Sequence, residues 1–218
     1  MATASLVRSD ESRLSRLDRA LDRLERALNF ASGVVILALV LLAVIHVLSR
    51  KFLNAPVPGY VDWTETFMAV FAFLGIAHVQ REGGHIRMDV VVGRLRGRVA
   101  WAAELIGVVL MLLITTVLIY GSWYHFLRSF DPSMPLWSRD STIDIGLPIW
   151  PAKLVVPVSL SVLWLRLVLQ IWGYARALRT GEARPVAVPL VPDPAEAAMA
   201  EAEAVIHADG PEDAEGGR

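Results

Sequence analysis

Four long apolar runs constrain the fold of this chain more than any other feature. They cover residues 30–49, 61–80, 101–123 and 147–174, and charged side chains are sparse within them. A helix needs about 20 mostly apolar residues to cross the hydrocarbon core of a bilayer, and each run provides that length. The pattern therefore predicts an all-α integral membrane protein with four transmembrane helices.

Tryptophan positions support these spans independently of hydropathy. Trp101, Trp123, Trp150 and Trp172 fall near the predicted span ends, as the aromatic residues of membrane interfaces do. More than half of the residues are apolar and cysteine is absent. This composition is typical of membrane proteins, and it excludes disulfides and cysteine metal sites.

Residues 1–29 are predicted to be a cytoplasmic N-terminal segment containing an amphipathic helix, with Ser12 as its N-cap. Leucines at spacings of three and four form one stripe: Leu14, Leu17, Leu21, Leu24 and Leu28. The rest of the surface carries arginines and acids: Arg13, Arg16, Arg19, Arg23, Arg26, Asp18, Asp22 and Glu25. Such a stripe can lie on lipid or pack against a partner helix, and both possibilities stay open.

Arginine and lysine placement predicts the orientation of the transmembrane domain, residues 30–175. Six arginines precede the first span and five lie between the second and third, whereas the other two loops hold two basic residues each. The positive-inside rule therefore places the N- and C-termini in the cytoplasm. Residues 176–218 are rich in proline, alanine and acids, and are predicted to form a disordered cytoplasmic tail.

The sequence contains no pattern typical of an enzyme or a cofactor site. It has no Walker-type glycine loop, and His85 and Asp89 lack a third ligand that would make a metal site. We therefore predict no catalytic, substrate-binding or metal site, no cofactor and no nucleic-acid partner for this chain.

Charged residues near the span ends are instead predicted to make structural contacts. On the outer side, we expect Glu65 to pair with Arg50 or Lys153, unless each side chain reaches water separately. Toward the inner side, Glu104 in the third span and Arg166 in the fourth lie at similar depth. We expect these two residues to pair between neighbouring helices.

One ordered set of residues resembles a known family. The set is Arg50, Asn54, Pro58, Trp63, Glu65, Gly75, Arg81, Gly84, His85, Ile86, Arg87 and Asp89. At these spacings within a short four-span chain, it resembles the small membrane subunit (Q subunit, DctQ-type) of tripartite ATP-independent periplasmic (TRAP) transporters. The chain departs from that pattern at 71–73, where phenylalanine and alanine replace a tryptophan that is frequent in the family.

The resemblance implies an accessory protein of the bacterial inner membrane. TRAP systems combine a periplasmic substrate-binding protein (P-type), a large membrane subunit (M-type) that moves substrate with sodium, and a small four-helix subunit. The small subunit would brace the large one in the lipid bilayer and help to dock the periplasmic protein through the outer loops, residues 50–62 and 124–146. Substrate and sodium sites would belong to the partners, so the sequence does not reveal the substrate.

Two other functions remain open from the residues alone. A four-helix anchor of a respiratory oxidoreductase would use histidines on facing helices as haem ligands. However, His46 is predicted at the outer end of the first span and His78 at the inner end of the second. A small oligomeric channel is the other possibility, although no ring of charged pore residues is evident.

Overall fold

The computed structural model describes residues 13–82 and 98–180, and within these ranges the protein is helical and has no β-strand. The helices are α1 (Arg13–Leu48), α2 (Tyr60–Leu74), α3 (Ile76–Arg81), α4 (Arg98–Ser129) and α5 (Trp150–Thr180). The prediction of an all-α protein is confirmed. Ser12, residues 83–97 between the second and third predicted spans, and the acidic tail lie outside the described residues.

The predicted amphipathic helix and the first predicted span form one continuous helix, α1. No proline interrupts the sequence between them. At a rise of 1.5 Å per residue, the 36 residues of α1 extend over about 54 Å. Because the hydrocarbon core is only about 30 Å thick, the N-terminal part of α1 extends past the apolar segment.

Three described helices are long and apolar enough to cross a membrane, in the segments Leu14–Leu53, Ala102–Ser129 and Trp150–Arg179. The second predicted span differs, because it is divided into α2 and α3 at Gly75. The Ser32 hydroxyl of α1 donates a hydrogen bond of 3.0 Å to the Phe71 carbonyl, the acceptor that Gly75 N–H would use in a regular helix. Gly75 N–H instead donates to the Phe73 carbonyl, so a contact from α1 explains the interruption.

The last helix, α5, is the centre of the bundle. It packs against α1, α2, α3 and α4, whereas α4 packs chiefly against α5. Its buried side chains recur at helical spacing and include Leu160, Leu163, Leu167 and Tyr174. Only part of the leucine stripe of α1 packs against this core. Leu14 and Leu21 are buried and Leu28 is partly buried against it, whereas Leu17 and Leu24 are exposed.

The connections from α1 to α2 and from α4 to α5, which are predicted to lie on the outer side and are called the outer connections for that reason, have defined backbone conformations. A π-helical turn, Ser49–Leu53, ends α1, and Asn54 closes it in the left-handed region with its N–H on the Ser49 carbonyl. Asparagine adopts the left-handed conformation more readily than most residues, which explains why this turn has an asparagine at position 54. The connection from α4 to α5 is held by ring contacts among Phe130, Trp137 and Trp150.

Gly59 provides a test of how these two outer connections meet. Its φ is +64°, and an added Cβ would lie 2.5 Å from the Ile145 Cδ1 atom of the other connection. We expect Gly59→Ala to lower the free energy of unfolding by at least about 1 to 2 kcal/mol, because backbone strain and steric overlap add. Equilibrium unfolding in mixed detergent micelles measures this change. Gly107→Ala is the matched control, since Gly107 is helical with open space around it, and a similar loss there would contradict the explanation.

Candidate functional site

A cluster of buried ionic side chains joins the first helix of the protein to the last. Asp18, Asp22 and Glu25 stand at spacings of four and three on α1, so they share one helix face. Their exposed fractions are 2%, 3% and 1%, because this face lies against α3 and α5. Since isolated charges are costly to bury, each carboxylate requires a cationic partner. We call these residues, together with Arg81 and Arg166, the ionic site.

Arg166 is the central cation of the ionic site. Its Nε donates to Oε1 of Glu25 at 2.7 Å and its Nη2 donates to Oε2 at 2.6 Å, a bidentate arrangement. The remaining Nη1 donates to Asp18. The residue is completely buried in the middle of α5, so its guanidinium replaces lost hydration with three charge-assisted hydrogen bonds.

Arg81 completes the ionic site from the end of α3. It is also buried, and its Nη groups donate to Asp22 and, at 3.3 Å, to Asp18. The exposed Arg26, one turn along α1, pairs with Asp22 as well. Three carboxylates therefore meet three guanidinium groups from three helices. Such a network holds the helices in one relative position, since Asp18 on α1 binds Arg81 of α3 and Arg166 of α5 at the same time.

Polar contacts continue around the ionic site at the same end of the bundle. Gln80 Nε2 donates to Gln170 Oε1 at 2.8 Å, linking α3 to α5. Tyr174 Oη donates to Glu104 Oε2 at 3.2 Å, linking α5 to α4. This arrangement corrects our prediction that Glu104 pairs with Arg166. The two residues lie on adjacent helices, but α1 provides the carboxylates that occupy Arg166.

The outer-side pairing predicted for Glu65 with Lys153 is also wrong. Lys153 Nζ binds Asp140 Oδ2 at 2.9 Å, and both residues contact the buried Ser129 hydroxyl. Glu65 and Arg50 are both exposed, and the described part of the chain contains no ion pair between them. The alternative, in which each of these side chains reaches water separately, stays a prediction.

Asp62 has an outer-side role that the sequence did not reveal. It is buried, and one carboxylate oxygen, Oδ2, accepts the backbone N–H groups of Asp144 at 3.1 Å and Ile145 at 3.0 Å. The start of α2 is thereby tied to the connection between α4 and α5. The two outer connections, which are distant in sequence, consequently form one surface.

Electrostatics stabilise the turn that follows α4. Hydrogen bonds from the Ser133 hydroxyl and N–H, together with Arg139, lower the pKa of Asp131 to about 2. Hydrogen bonds from Ser129 and Lys153 lower the pKa of Asp140 in the same way. Both carboxylates are therefore ionised acceptors at neutral pH, and they keep this part of the outer surface in one conformation.

The remaining residues of the resemblance set are separate from the ionic site. Asn54 closes the outer turn, Trp63 contacts the Phe67 ring within α2, and Gly75 separates α2 from α3. Gly84, His85, Ile86, Arg87 and Asp89 lie outside the described residues. Of the described members of the set, only Arg81 enters the ionic site.

The described helices do not bring the two predicted haem-ligand candidates, His46 and His78, together. No group of three or more potential metal ligands occurs within residues 13–82 and 98–180. The ring of His46 stacks on the ring of Tyr60 with 4.0 Å between their centroids. His78 lies 18 residues after Tyr60 along α2 and α3, which is about 27 Å by helical rise. The two rings are thus at opposite ends of the bundle, too far apart to be the two axial ligands of one haem.

The spacing of the three acidic residues in the sequence indicated a shared helix face, but our sequence analysis did not predict that this face is buried. Acids at positions 18, 22 and 25 form a helix stripe by spacing alone. The more prominent leucine stripe suggested a different buried face. The structure shows that the acidic stripe is central and that leucines border it, because Arg81 and Arg166 are available to neutralise it.

Comparison with known proteins gives a family match. The model of the family described as "Tripartite ATP-independent periplasmic transporters, DctQ component" matches residues 39–177, more than half of the chain. The matched segment includes Arg81 and Arg166, but it begins after the acidic stripe of α1. A search of curated proteins found no match.

Proposed function

Since this chain belongs to the DctQ component family of the tripartite ATP-independent periplasmic transporters, we propose that it is the small scaffold subunit that braces the large transport subunit. The family consists of transporter components, which does not favour an oxidoreductase anchor. The observation that carries the scaffold role is the ionic site, which ties α1, α3 and α5 into one unit. A rigid unit is what a moving transport subunit needs beside it.

In this proposal the chain crosses the bacterial inner membrane four times. Helices α2 and α3 together cover residues 60–81, about 33 Å by helical rise, which is enough for a single span with a kink at Gly75. Both termini lie in the cytoplasm. The arginines before the first span and between the second and third support this orientation.

The large subunit is proposed to lie against the apolar surface that α4 leaves uncovered. Helix α4 packs chiefly on α5, and its other side chains are exposed. The exposed residues include Ile106, Leu113, Ile114 and Val117. Substrate and sodium sites belong to the large subunit, and no cofactor is assigned to this chain.

The outer surface is proposed to help dock the periplasmic substrate-binding protein. Asp62 joins the two outer connections into one surface, and apolar side chains project from it. Ile143 is 98% exposed and Leu136 is 69% exposed. Both fall within the loop, residues 124–146, that the resemblance implies for docking.

Co-purification tests the scaffold proposal. Tagged full-length protein is expected to retain a much larger many-helix membrane protein, and uptake of an organic acid is expected to need both chains plus a soluble periplasmic receptor. The matched control is a tagged, unrelated four-helix membrane protein expressed at the same level. Uptake that persists at full rate after deletion of this chain would contradict the proposal.

A further inference from the structure

The N-terminal part of α1 has three distinct faces. The acidic face is buried in the ionic site, and the exposed Leu17 and Leu24 mark a second face. The third face consists of exposed arginines at spacings of three and four: Arg16, Arg19, Arg23 and Arg26. We call these four residues the arginine face. Arg26 pairs with Asp22, whereas the described part of the chain places no carboxylate against the other three.

The arginine face continues along α1 as an apolar face. Phe30, Val34, Leu37 and Leu41 follow Arg26 at the same helical spacing, and they are 75%, 51%, 58% and 52% exposed. One uncovered face of one helix therefore changes from basic to apolar between Arg26 and Phe30. This change is expected where a helix passes from lipid headgroups into the hydrocarbon core.

The depth calculated along α5 places the membrane boundary near the same level. Arg166 lies 16 residues after Trp150, about 24 Å along α5. If Trp150 marks the outer interface of a hydrocarbon core about 30 Å thick, Arg166 lies close to the inner boundary. Because Arg166 binds Asp18 and Glu25 directly, the segment of α1 that carries the arginine face extends from near the inner boundary toward the headgroups.

We propose that the arginine face binds the phosphate groups of anionic phospholipids in the inner leaflet of the membrane. This inference rests on the membrane orientation given under the proposed function. Guanidinium groups bind phosphate oxygens through paired hydrogen bonds. Among the acidic residues of this helix segment, Asp22 occupies Arg26, whereas no carboxylate in the described part of the chain competes for Arg16, Arg19 or Arg23. The apolar continuation toward Leu41 supplies the contact surface for the acyl chains of the same lipids.

Lipid is favoured over an acidic protein partner by the pattern along α1. A protein partner covering this face would have to match basic residues and then four exposed apolar side chains on one continuous helix. Each anionic phospholipid molecule provides both, because its phosphate group matches the arginines and its acyl chains match the apolar side chains. The bilayer is also present wherever the apolar part of α1 is inserted.

The experiment compares full-length proteins in nanodiscs made of phosphatidylcholine and phosphatidylglycerol. The test variant carries Arg16→Gln, Arg19→Gln and Arg23→Gln. The matched control carries Arg50→Gln, Lys51→Gln and Arg128→Gln, which removes three exposed cations from the other end of the bundle. Native mass spectrometry counts the phosphatidylglycerol molecules that each protein retains. We expect wild type and control to prefer phosphatidylglycerol, and the test variant to lose that preference by about fivefold for each arginine.

Each outcome distinguishes the lipid site from the scaffold role, because the same variants are scored for co-purification with the large subunit. An unchanged lipid preference in the test variant would overturn the proposal. If the large subunit were lost while the lipid preference stayed, the arginine face would bind protein instead. Loss of the lipid preference with normal assembly would support the lipid site, and failure of wild type to assemble would contradict only the proposed function. Circular dichroism confirms that the variants are folded.

Discussion

Replacing Arg166 with methionine is expected to lower the free energy of unfolding by about 3 to 5 kcal/mol, among the largest effects of any single substitution in this protein. Arg166 is completely buried and binds both oxygens of Glu25 as well as Asp18. Methionine fills much of the volume but leaves two carboxylates buried without this cation. The measurement is equilibrium unfolding in mixed micelles of a mild and a denaturing detergent.

The control for Arg166 lies on the same helix. Arg179 is exposed near the end of α5, so Arg179→Met is expected to change stability by no more than about 0.5 kcal/mol. Adding Glu25→Leu to Arg166→Met is expected to restore part of the loss, since an apolar pair no longer leaves the Glu25 charge unmatched. If the losses from Arg166→Met and Glu25→Leu were strictly additive, the proposed direct coupling would be wrong.

Reversing the charge of Arg81 is expected to destabilise the bundle at least as strongly. Arg81→Glu would add a fourth carboxylate beside Asp18 and Asp22, which now bind the arginine. The expected loss exceeds about 3 kcal/mol, because it combines an unpaired buried charge with repulsion between like charges. The yield of monodisperse protein and the unfolding midpoint both measure it.

A second substitution makes the Arg81 experiment specific. Asp22→Arg in the Arg81→Glu background restores opposite charges between α1 and α3, and we expect it to recover at least about 1 kcal/mol. Recovery is partial, since Asp18 still faces the new glutamate. Equal instability of Arg81→Glu alone and of the swapped pair would show that the ionic site does not fix α1 against α3. Glu65→Arg, at an exposed position of α2, controls for the effect of reversing one charge outside the ionic site.

Sequence patterns predicted well those features of the helices that depend only on the order of residues along the chain. Apolar run length placed α1, α4 and α5, and residue spacing placed His46 and His78 at opposite ends. The motif from Arg50 to Asp89 indicated the family that the comparison confirmed. These results depend on length, order and composition, which are properties of the linear chain.

Contacts between helices were predicted less well. Glu104 and Arg166 have similar depth, but depth along the chain does not specify which face each helix turns toward its neighbour. The break at Gly75 depends on a hydroxyl from α1, Ser32, reaching the Phe71 carbonyl. Asp62 likewise accepts N–H groups from residues about 80 positions away. Such pairings cannot be read from local spacing.

The sequence by itself determined that this protein is helical and membrane-embedded, because hydrocarbon excludes unpaired backbone groups and requires long apolar segments. Only the tertiary structure decided that the acidic stripe of α1, rather than the whole leucine stripe, faces the bundle. The physical reason is that burial of a carboxylate depends on the cation beside it. Arg81 and Arg166 come to Asp18, Asp22 and Glu25 only when α3 and α5 have packed against α1.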